Sequence, residues 1–292
     1  VIPYEGTLYR PPSEAHSLIL QATLGCSYNR CTFCVMYREK SFRVRSLDAL
    51  REEIAWARDH MGVVRKVFLA DGDALMAKAR FLESLLDELN AAFPDLRRVS
   101  VYASPQSLAV RTVEEMQRLA AKGLTLYYLG IESGDDQVLR DLDKGVDARE
   151  MVRVANKAHE AGVKLSTMIL LGAGGREASL RHARHSADVV NAINPRFIST
   201  LVMTPVEGTP LWDDHLAGKV DELSPVELAC ELKEFLDHLK VRGSVFRSNH
   251  ASNYLALKGN LPKEQEALVG YLEGVIARPD EAHFAPEWIR GL

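Results

Sequence analysis

Short runs rich in apolar and β-branched residues recur along the chain at roughly 17–23, 65–70, 98–103, 124–131, 164–171 and 196–203. They are apolar at successive rather than alternate positions, as expected of strands buried on both faces. Stretches of helical period separate them. L-D-A-L-R-E-E-I-A-W-A-R follows Ser46, a good N-cap, and F-L-E-S-L-L-D-E-L follows the second run. Thr112 and Glu115 make a capping-box pair, with Gly123 as the stop. Asp147 opens a helix that ends at Gly162, and Ser224, Pro225 and Glu227 supply an N-cap, a proline at the first helical position and a box partner. Six strands, each followed by a helix, predict an α/β fold of parallel βα units, either an open doubly wound sheet or a barrel short of eight repeats. In both, the site is expected at the C-terminal ends of the strands. Past about 243 the rhythm stops. V-F-R-S-N-H-A-S-N-Y reads as a polar loop, one more helix is expected at about 262–277 from Pro262, and the last fifteen residues read as a docked tail. The expected division is a repeat domain over 1–242, with its core at 17–203, and a cap over 243–292.

Composition changes this picture little. The chain has 292 residues, 47% hydrophobic and 26% charged, with a formal net charge of −4. That balance suits a globular protein, offers no broad attraction for nucleic acid and argues against it as a partner. No run of about 18 apolar residues predicts a membrane span, and no basic leader with an apolar core is visible, so a cytoplasmic location is expected. The chain starts at Val1 rather than methionine, which suggests that a short segment precedes it.

The chemistry concentrates in L-G-C-S-Y-N-R-C-T-F-C, Leu24 to Cys34, which holds Cys26, Cys31 and Cys34, three of the four cysteines. Cys26 directly follows the first strand, and the others precede the first long helix. Three arrangements fit such a set. Zinc would need a fourth ligand from elsewhere or a water. A disulfide, or a Cys31–Cys34 redox pair, would leave one thiol over. A cubane iron–sulfur cluster normally takes four thiolates, so three would leave one iron open to another ligand.

A three-cysteine loop after the first strand of a six-fold βα repeat, with Phe33 before the last cysteine, resembles the radical S-adenosylmethionine (SAM) superfamily. The likeness is to the branch of Elongator-type enzymes and oxygen-independent coproporphyrinogen oxidase. The loop departs from the commonest pattern in having four residues, S-Y-N-R, between the first two cysteines. The resemblance implies a partial (β/α)6 TIM-type barrel with a small C-terminal cap. It also implies a [4Fe–4S] cluster on Cys26, Cys31 and Cys34, with SAM chelated by the open iron. Reductive cleavage would then give methionine and a 5′-deoxyadenosyl radical that abstracts hydrogen from a substrate.

The later strand ends extend the resemblance. A-D-G-D-A, Ala70 to Ala74, stands where the family receives the SAM amino group, with Gly72 for close approach and Asp73 where glutamate is commoner. Y-A-S-P places Ser104 within reach of the methionyl part. In L-G-I-E-S-G-D-D-Q-V-L-R-D-L-D-K-G, Glu132 matches the position that binds the ribose hydroxyls and Lys144 a basic position that pairs with the SAM carboxylate. M-I-L-L-G-A-G-G, from Met168 to Gly175, matches the strand and turn that bind adenine; a dinucleotide fingerprint fails there, because Glu177 stands at the third glycine position.

Substrate is expected to meet the remainder. Glu207 and Thr209 read as loop anchors. Arg247, Asn249, His250 and Asn253 are the substrate candidates, or else members of a capped turn that satisfies its own backbone. Cys230, on an apolar helix face, reads as a buried, inert thiol. Trp56, Trp212 and Trp288 read as packing residues, and His60, His159, His182 and His185 as surface residues. The implied partners are a small-molecule or peptide substrate and an electron donor such as flavodoxin or ferredoxin. Two rivals remain at this point: a carrier or chaperone on the same fold that binds SAM, a cluster or haem without turnover, and a zinc-stabilised barrel.

Overall fold

A computed structural model describes residues 2–291. Its elements in chain order are β1 (Leu18–Gln21), β2 (Thr23–Leu24), β3 (Arg43–Val44), α1 (Leu47–His60), β4 (Lys66–Ala70), α2 (Ala79–Ala92), β5 (Arg98–Ala103), α3 (Pro105–Val110), α4 (Val113–Ala121), β6 (Leu124–Glu132), α5 (Asp136–Asp141), α6 (Ala148–Glu160), β7 (Lys164–Leu171), α7 (Gly175–Ile193), β8 (Phe197–Val202), α8 (Pro210–Leu216), α9 (Pro225–His238), β9 (Ser244–Ser248), β10 (Leu257–Leu261) and α10 (Gln265–Ala277). The main sheet has the order β1-β4-β5-β6-β7-β8-β9-β10, and β2 and β3 form a separate antiparallel pair.

The chain falls into two compact units, one made of residues up to 29, 36–129 and 154–165, the other of 30–35, 130–153 and 166 onward. In the first, β1, β4, β5 and the start of β6 run parallel, in the register Leu18 to Val67, Val67 to Val99 and Val101 to Tyr127. Their side chains are buried almost without alternation, Val67, Phe68, Leu69 and Ala70 wholly so, which is why these runs look uniformly apolar. The helices begin where their caps predict. Ser46 accepts the Ala49 N–H, and Thr112 and Glu115 close a reciprocal box on α4, each such cap worth about 1 kcal/mol.

In the second unit β7 and β8 are parallel, and Ser224 and Glu227 cap α9 reciprocally. The sheet here goes beyond the six strands expected. β9 pairs parallel to β8, and β10 antiparallel to β9. The segment read as a polar loop therefore begins as a strand. Its inward positions, Ser244, Phe246 and Ser248, alternate with more open ones, but two of the three are serines, so the period of two lacks its usual apolar signal. Ser244 Oγ donates to the Pro195 carbonyl at 2.6 Å, which allows it to be buried. The last long helix starts at Gln265 rather than at Pro262.

Two single-residue expectations also change. His182 is fully buried on α7, and Trp288, expected to pack, is 84% exposed. No helix among the described residues is long and apolar enough to cross a membrane.

Candidate functional site

In the first unit, the turn after β4 carries its own buried carboxylate. Asp73 is fully buried and accepts from Ser27 Oγ at 2.5 Å, Ser104 Oγ at 2.6 Å and the Ser104 N–H at 3.2 Å. Burial raises the proton affinity of its carboxyl, and the hydroxyls of Ser104 and Ser27 pull it back down. Ser27 directly follows Cys26, so Asp73 fastens the residue beside the first thiol to the end of β5. The Ser104 oxygen also accepts the Ser107 N–H at 2.9 Å as the N-cap of α3.

Gly72 has an ordinary φ, and space is what it needs. A Cβ there would stand 2.5 Å from Tyr37 Cε2 and 3.0 Å from Cys26 Cβ. Its neighbour Asp71 is fully buried and accepts from Lys40 Nζ at 2.9 Å and the Gly25 N–H at 3.3 Å. Lys40 also donates to the Thr7 carbonyl at 2.6 Å, so a buried ion pair returns the far end of the cysteine loop to the β4 turn. Sequence reasoning missed Ser27, Tyr37, Lys40 and Asp71. The available signal was position: two flank the first thiol or the key glycine, and two close the cysteine loop.

In the second unit, the Cys34 N–H donates to the Cys31 carbonyl at 3.3 Å in a tight turn. Thr32 pins that turn. Its N–H donates to the Leu142 carbonyl at 3.0 Å, its hydroxyl to the Asp141 carbonyl at 3.2 Å, and its own carbonyl accepts the Leu211 N–H at 3.1 Å. Phe33 packs against Val138, Leu142 and Leu170, together with Leu201 and Met203. Cys31 and Cys34 here, like Cys26 in the first unit, are partly exposed and form no disulfide. Thiols are the donors that a soft-metal cluster takes, although among the described residues no three His, Cys, Asp or Glu side chains stand together as a metal site.

At the end of β6, Glu132 lies in the left-handed region, at φ 66°. Its Oε1 meets Lys144 Nζ at 2.9 Å, and each side chain is only 10% exposed. Lys144 is thus buried, held by its N–H on the Leu139 carbonyl at 3.0 Å. Gly130 leaves room for the pair, since a Cβ there would collide with Glu132 Oε1. A bulky residue in left-handed conformation costs about 1–3 kcal/mol and tends to mark functional sites.

Met168 is half-buried in β7, opposite Ser199. Gly172, in the turn that follows, sits at φ 81° and donates its N–H to Glu231 at 2.7 Å. The C-terminal candidates separate. Asn253 is buried, accepting the Val202 N–H at 2.9 Å and donating to the Thr200 carbonyl at 2.8 Å and Ser248 Oγ at 3.0 Å, so it ties its loop to β8. Arg247 and Asn249 are exposed. His250 is half-buried, its Nδ1 accepting the Ser252 N–H at 3.1 Å, and burial lowers its proton affinity. Thr209 caps α8 and Glu207 is exposed. Cys230 is half-buried, and burial pushes its thiol up.

The family model described as the radical SAM superfamily matches residues 20–186, more than half of the chain. The chain belongs to the radical SAM superfamily. Members of this superfamily are enzymes that use a [4Fe–4S] cluster and SAM. An uncharacterized protein of Methanocaldococcus jannaschii is 22% identical over 232 residues, covering 74% of this chain and 69% of its own. Among solved structures, coproporphyrinogen III oxidase from Escherichia coli, a radical SAM enzyme, aligns with a TM-score of 0.58 at 18% identity, over 76% of this chain and 52% of its own. Methylornithine synthase aligns with a TM-score of 0.54 at 17% identity, over 78% of this chain and 64% of its own. At these identities the structural likeness is one of fold, the partial (β/α)6 TIM-type barrel of radical SAM proteins. The chain spans less than two-thirds of the length of either solved relative.

Proposed function

We propose that this radical SAM protein cleaves SAM reductively and begins radical chemistry on a small-molecule or peptide substrate. The observation that carries the reading is the three-thiol loop, Cys26, Cys31 and Cys34, inside the family-matched residues and just past β1 and the short β2. The three side chains act as thiolates and hold the [4Fe–4S] cluster. Bound there, such a cluster offers one electron to SAM and one iron that no protein side chain occupies.

The chain's other residues bind and orient. Phe33 keeps the Cys31–Cys34 turn seated by packing on Leu142 and Leu170. Gly72 and Asp73 shape the turn that takes the SAM amino group, and Ser104 lies beside it through Asp73. Lys144 exchanges Glu132 for the SAM carboxylate, which leaves both Glu132 oxygens to accept from the ribose hydroxyls. Met168 and the turn to Gly175 receive adenine. Residues 1–242 are the cofactor-binding barrel and 243–292 the cap, in which Arg247 from β9, and Asn249 and His250 from the loop that Asn253 anchors, face substrate. The reducing electron comes from a flavodoxin- or ferredoxin-type donor, and a reducing cytoplasm suits the exposed thiols.

Electron paramagnetic resonance on anaerobically reconstituted, dithionite-reduced protein tests the reading, with product analysis alongside. A reduced-cubane signal that shifts on adding SAM, with release of 5′-deoxyadenosine, is expected. A signal indifferent to SAM would place the protein among carriers, and zinc in place of iron would sink the proposal.

A further inference from the structure

Behind the turn after β7 lie two fully buried ionisable side chains to which the proposed function gives no role, His182 on α7 and Glu231 on α9. Glu231 accepts the Gly172 N–H at 2.7 Å on Oε1 and Ser179 Oγ at 2.5 Å on Oε2. His182 Nε2 lies 3.0 Å from the Leu170 carbonyl and 3.7 Å from Glu231 Oε1, and its Nδ1 lies 2.8 Å from Ser133 Oγ. A carbonyl only accepts, so Nε2 carries a proton. Ser133 Oγ accepts the Asp135 N–H at 2.9 Å, which leaves its own proton for Nδ1. Two separate sets of hydrogen bonds result: His182 joins Ser133, the residue after Glu132, to the Leu170 carbonyl, and Glu231 joins Ser179 to the Gly172 N–H, with 3.7 Å between His182 Nε2 and Glu231 Oε1.

Fastening α7 to α9 does not require this arrangement. Burying a carboxylate is costly, and an apolar pair of similar volume would hold two helices as well or better. Burial does raise the proton affinity of the Glu231 carboxyl, against the pull of His182 and of the bonds from Ser179 and Gly172. What the carboxylate does supply is a directional acceptor for the Gly172 N–H, at a left-handed residue just past the end of the strand ladder. Glu231 also lies outside the residues that the family model matches.

We propose that Glu231, through the Gly172 N–H, is a positioning residue that fixes the turn after β7 in the orientation that receives SAM. The inference rests on the SAM-binding role proposed for that turn. Glu231 touches no reacting atom in this account; it acts through the Gly172 N–H.

The test compares Glu231→Leu, Glu231→Gln and Glu234→Gln in the full chain. Glu234 accepts from Arg184 Nε at 2.5 Å and also joins α9 to α7, but on the exposed side. Three quantities are read: SAM affinity from the shift of the reduced-cluster signal, thermal midpoint, and hydrogen exchange at 170–175 in the chain without cofactors. Glu231→Leu is expected to weaken SAM binding about tenfold and to speed exchange at 170–175, with iron content unchanged and a lowered thermal midpoint. Glu231→Gln keeps an acceptor and should stay within about threefold of wild type, and Glu234→Gln should bind SAM as wild type does. Wild-type affinity in a folded Glu231→Leu overturns the proposal, as does equal weakening in Glu234→Gln, which would mean simple fastening. Should Glu231→Leu not fold, Ser179→Ala removes one hydroxyl from the carboxylate and should weaken SAM about threefold; an unchanged affinity overturns the proposal there. A wild-type protein with no SAM response defeats the SAM reading itself, whereas a wild type that responds beside an equally responsive Glu231→Leu defeats only the positioning role.

Discussion

Two glycine-containing turns at strand ends, 71–74 after β4 and 172–175 after β7, solve one problem in opposite ways. Each is backed by a fully buried carboxylate that accepts from a backbone N–H and from hydroxyls, two at Asp73 and one at Glu231. In the first the carboxylate, Asp73, belongs to the turn. In the second it comes from Glu231, on a helix that starts fifty residues further on. The glycines differ as well: Gly72 is needed for space beside Tyr37, and Gly172 for a φ of 81°. A turn that carries its own acceptor is held by local sequence. A turn that imports one depends on a distant helix and can be altered from there.

The largest effect expected is at Asp73. Asp73→Ala leaves the Ser27 and Ser104 hydroxyls without their carboxylate acceptor, while the Ser104 N–H keeps Ser107 Oγ, which should cost on the order of 4 kcal/mol in urea denaturation. Asp73→Asn keeps one oxygen and should lose about half as much. If Asp73→Ala were nearly neutral, the local clamp would be an accident of packing and the contrast with Glu231 would dissolve.

Next in size is the ion pair at the end of β6. Lys144→Met strands the buried Glu132 carboxylate and should cost about 3 kcal/mol, while adding Glu132→Gln should recover most of it. A double-mutant cycle checks this. Additive losses would mean that the two side chains do not stabilise each other, which would leave SAM nothing to exchange.

The glycines sharpen the comparison. Gly72→Ala should destabilise by about 2 kcal/mol through the clash with Tyr37, and Tyr37→Ala should rescue much of that loss. Gly172→Ala should cost about 1 kcal/mol from its backbone angle, and Gly172→Asn less, because asparagine tolerates the left-handed region. Trimming Leu228, the one side chain near a Cβ at Gly172, should rescue little. Rescue at the wrong glycine would reverse the two assignments.

The same division explains what the sequence disclosed. The βα rhythm, the caps at Ser46, Thr112 and Ser224, and the positions of the three cysteines were legible because each signal lies within a few residues of its effect. Asp73 was legible as part of its own turn, though its partner Ser27 was not. Glu231 and His182 were not legible, since a polar residue on an amphipathic helix shows its burial only when another element covers it. Ser244 and Ser248 hid strand β9 for a related reason, because bonds to Pro195 and Asn253 make inward serines acceptable. Lys144 was legible as a basic position of its motif, but its buried ion pair with Glu132 was not.

The smallest effect carries the contrast to 250–254, where a local and an imported partner meet on one residue. Ser252 donates its N–H to His250 Nδ1 at 3.1 Å and its carbonyl accepts from Arg290 Nε at 2.9 Å, while the Arg290 guanidinium lies over the Tyr254 ring at 3.7 Å. Burial lowers the proton affinity of His250, and a proton on Nδ1 would take the lone pair that accepts from Ser252. The folded protein therefore holds that proton less tightly than the unfolded chain, whose histidine titrates near 6.5. Below that pH the unfolded state binds more protons, so the contribution of His250 to stability is present above about 6.5 and is lost as pH falls through the lower folded value. Thermal midpoints should drop more steeply on acidification in wild type than in His250→Gln, and exchange should quicken at 250–254 first. If the tail at 285–291 loosens in step, through Ala285 and Gly291, whose N–H groups bond to Tyr254 and Ala251, the local histidine governs the imported arginine. If the tail stays protected while 250–254 opens, the imported contact stands by itself, as Glu231 is proposed to do behind Gly172.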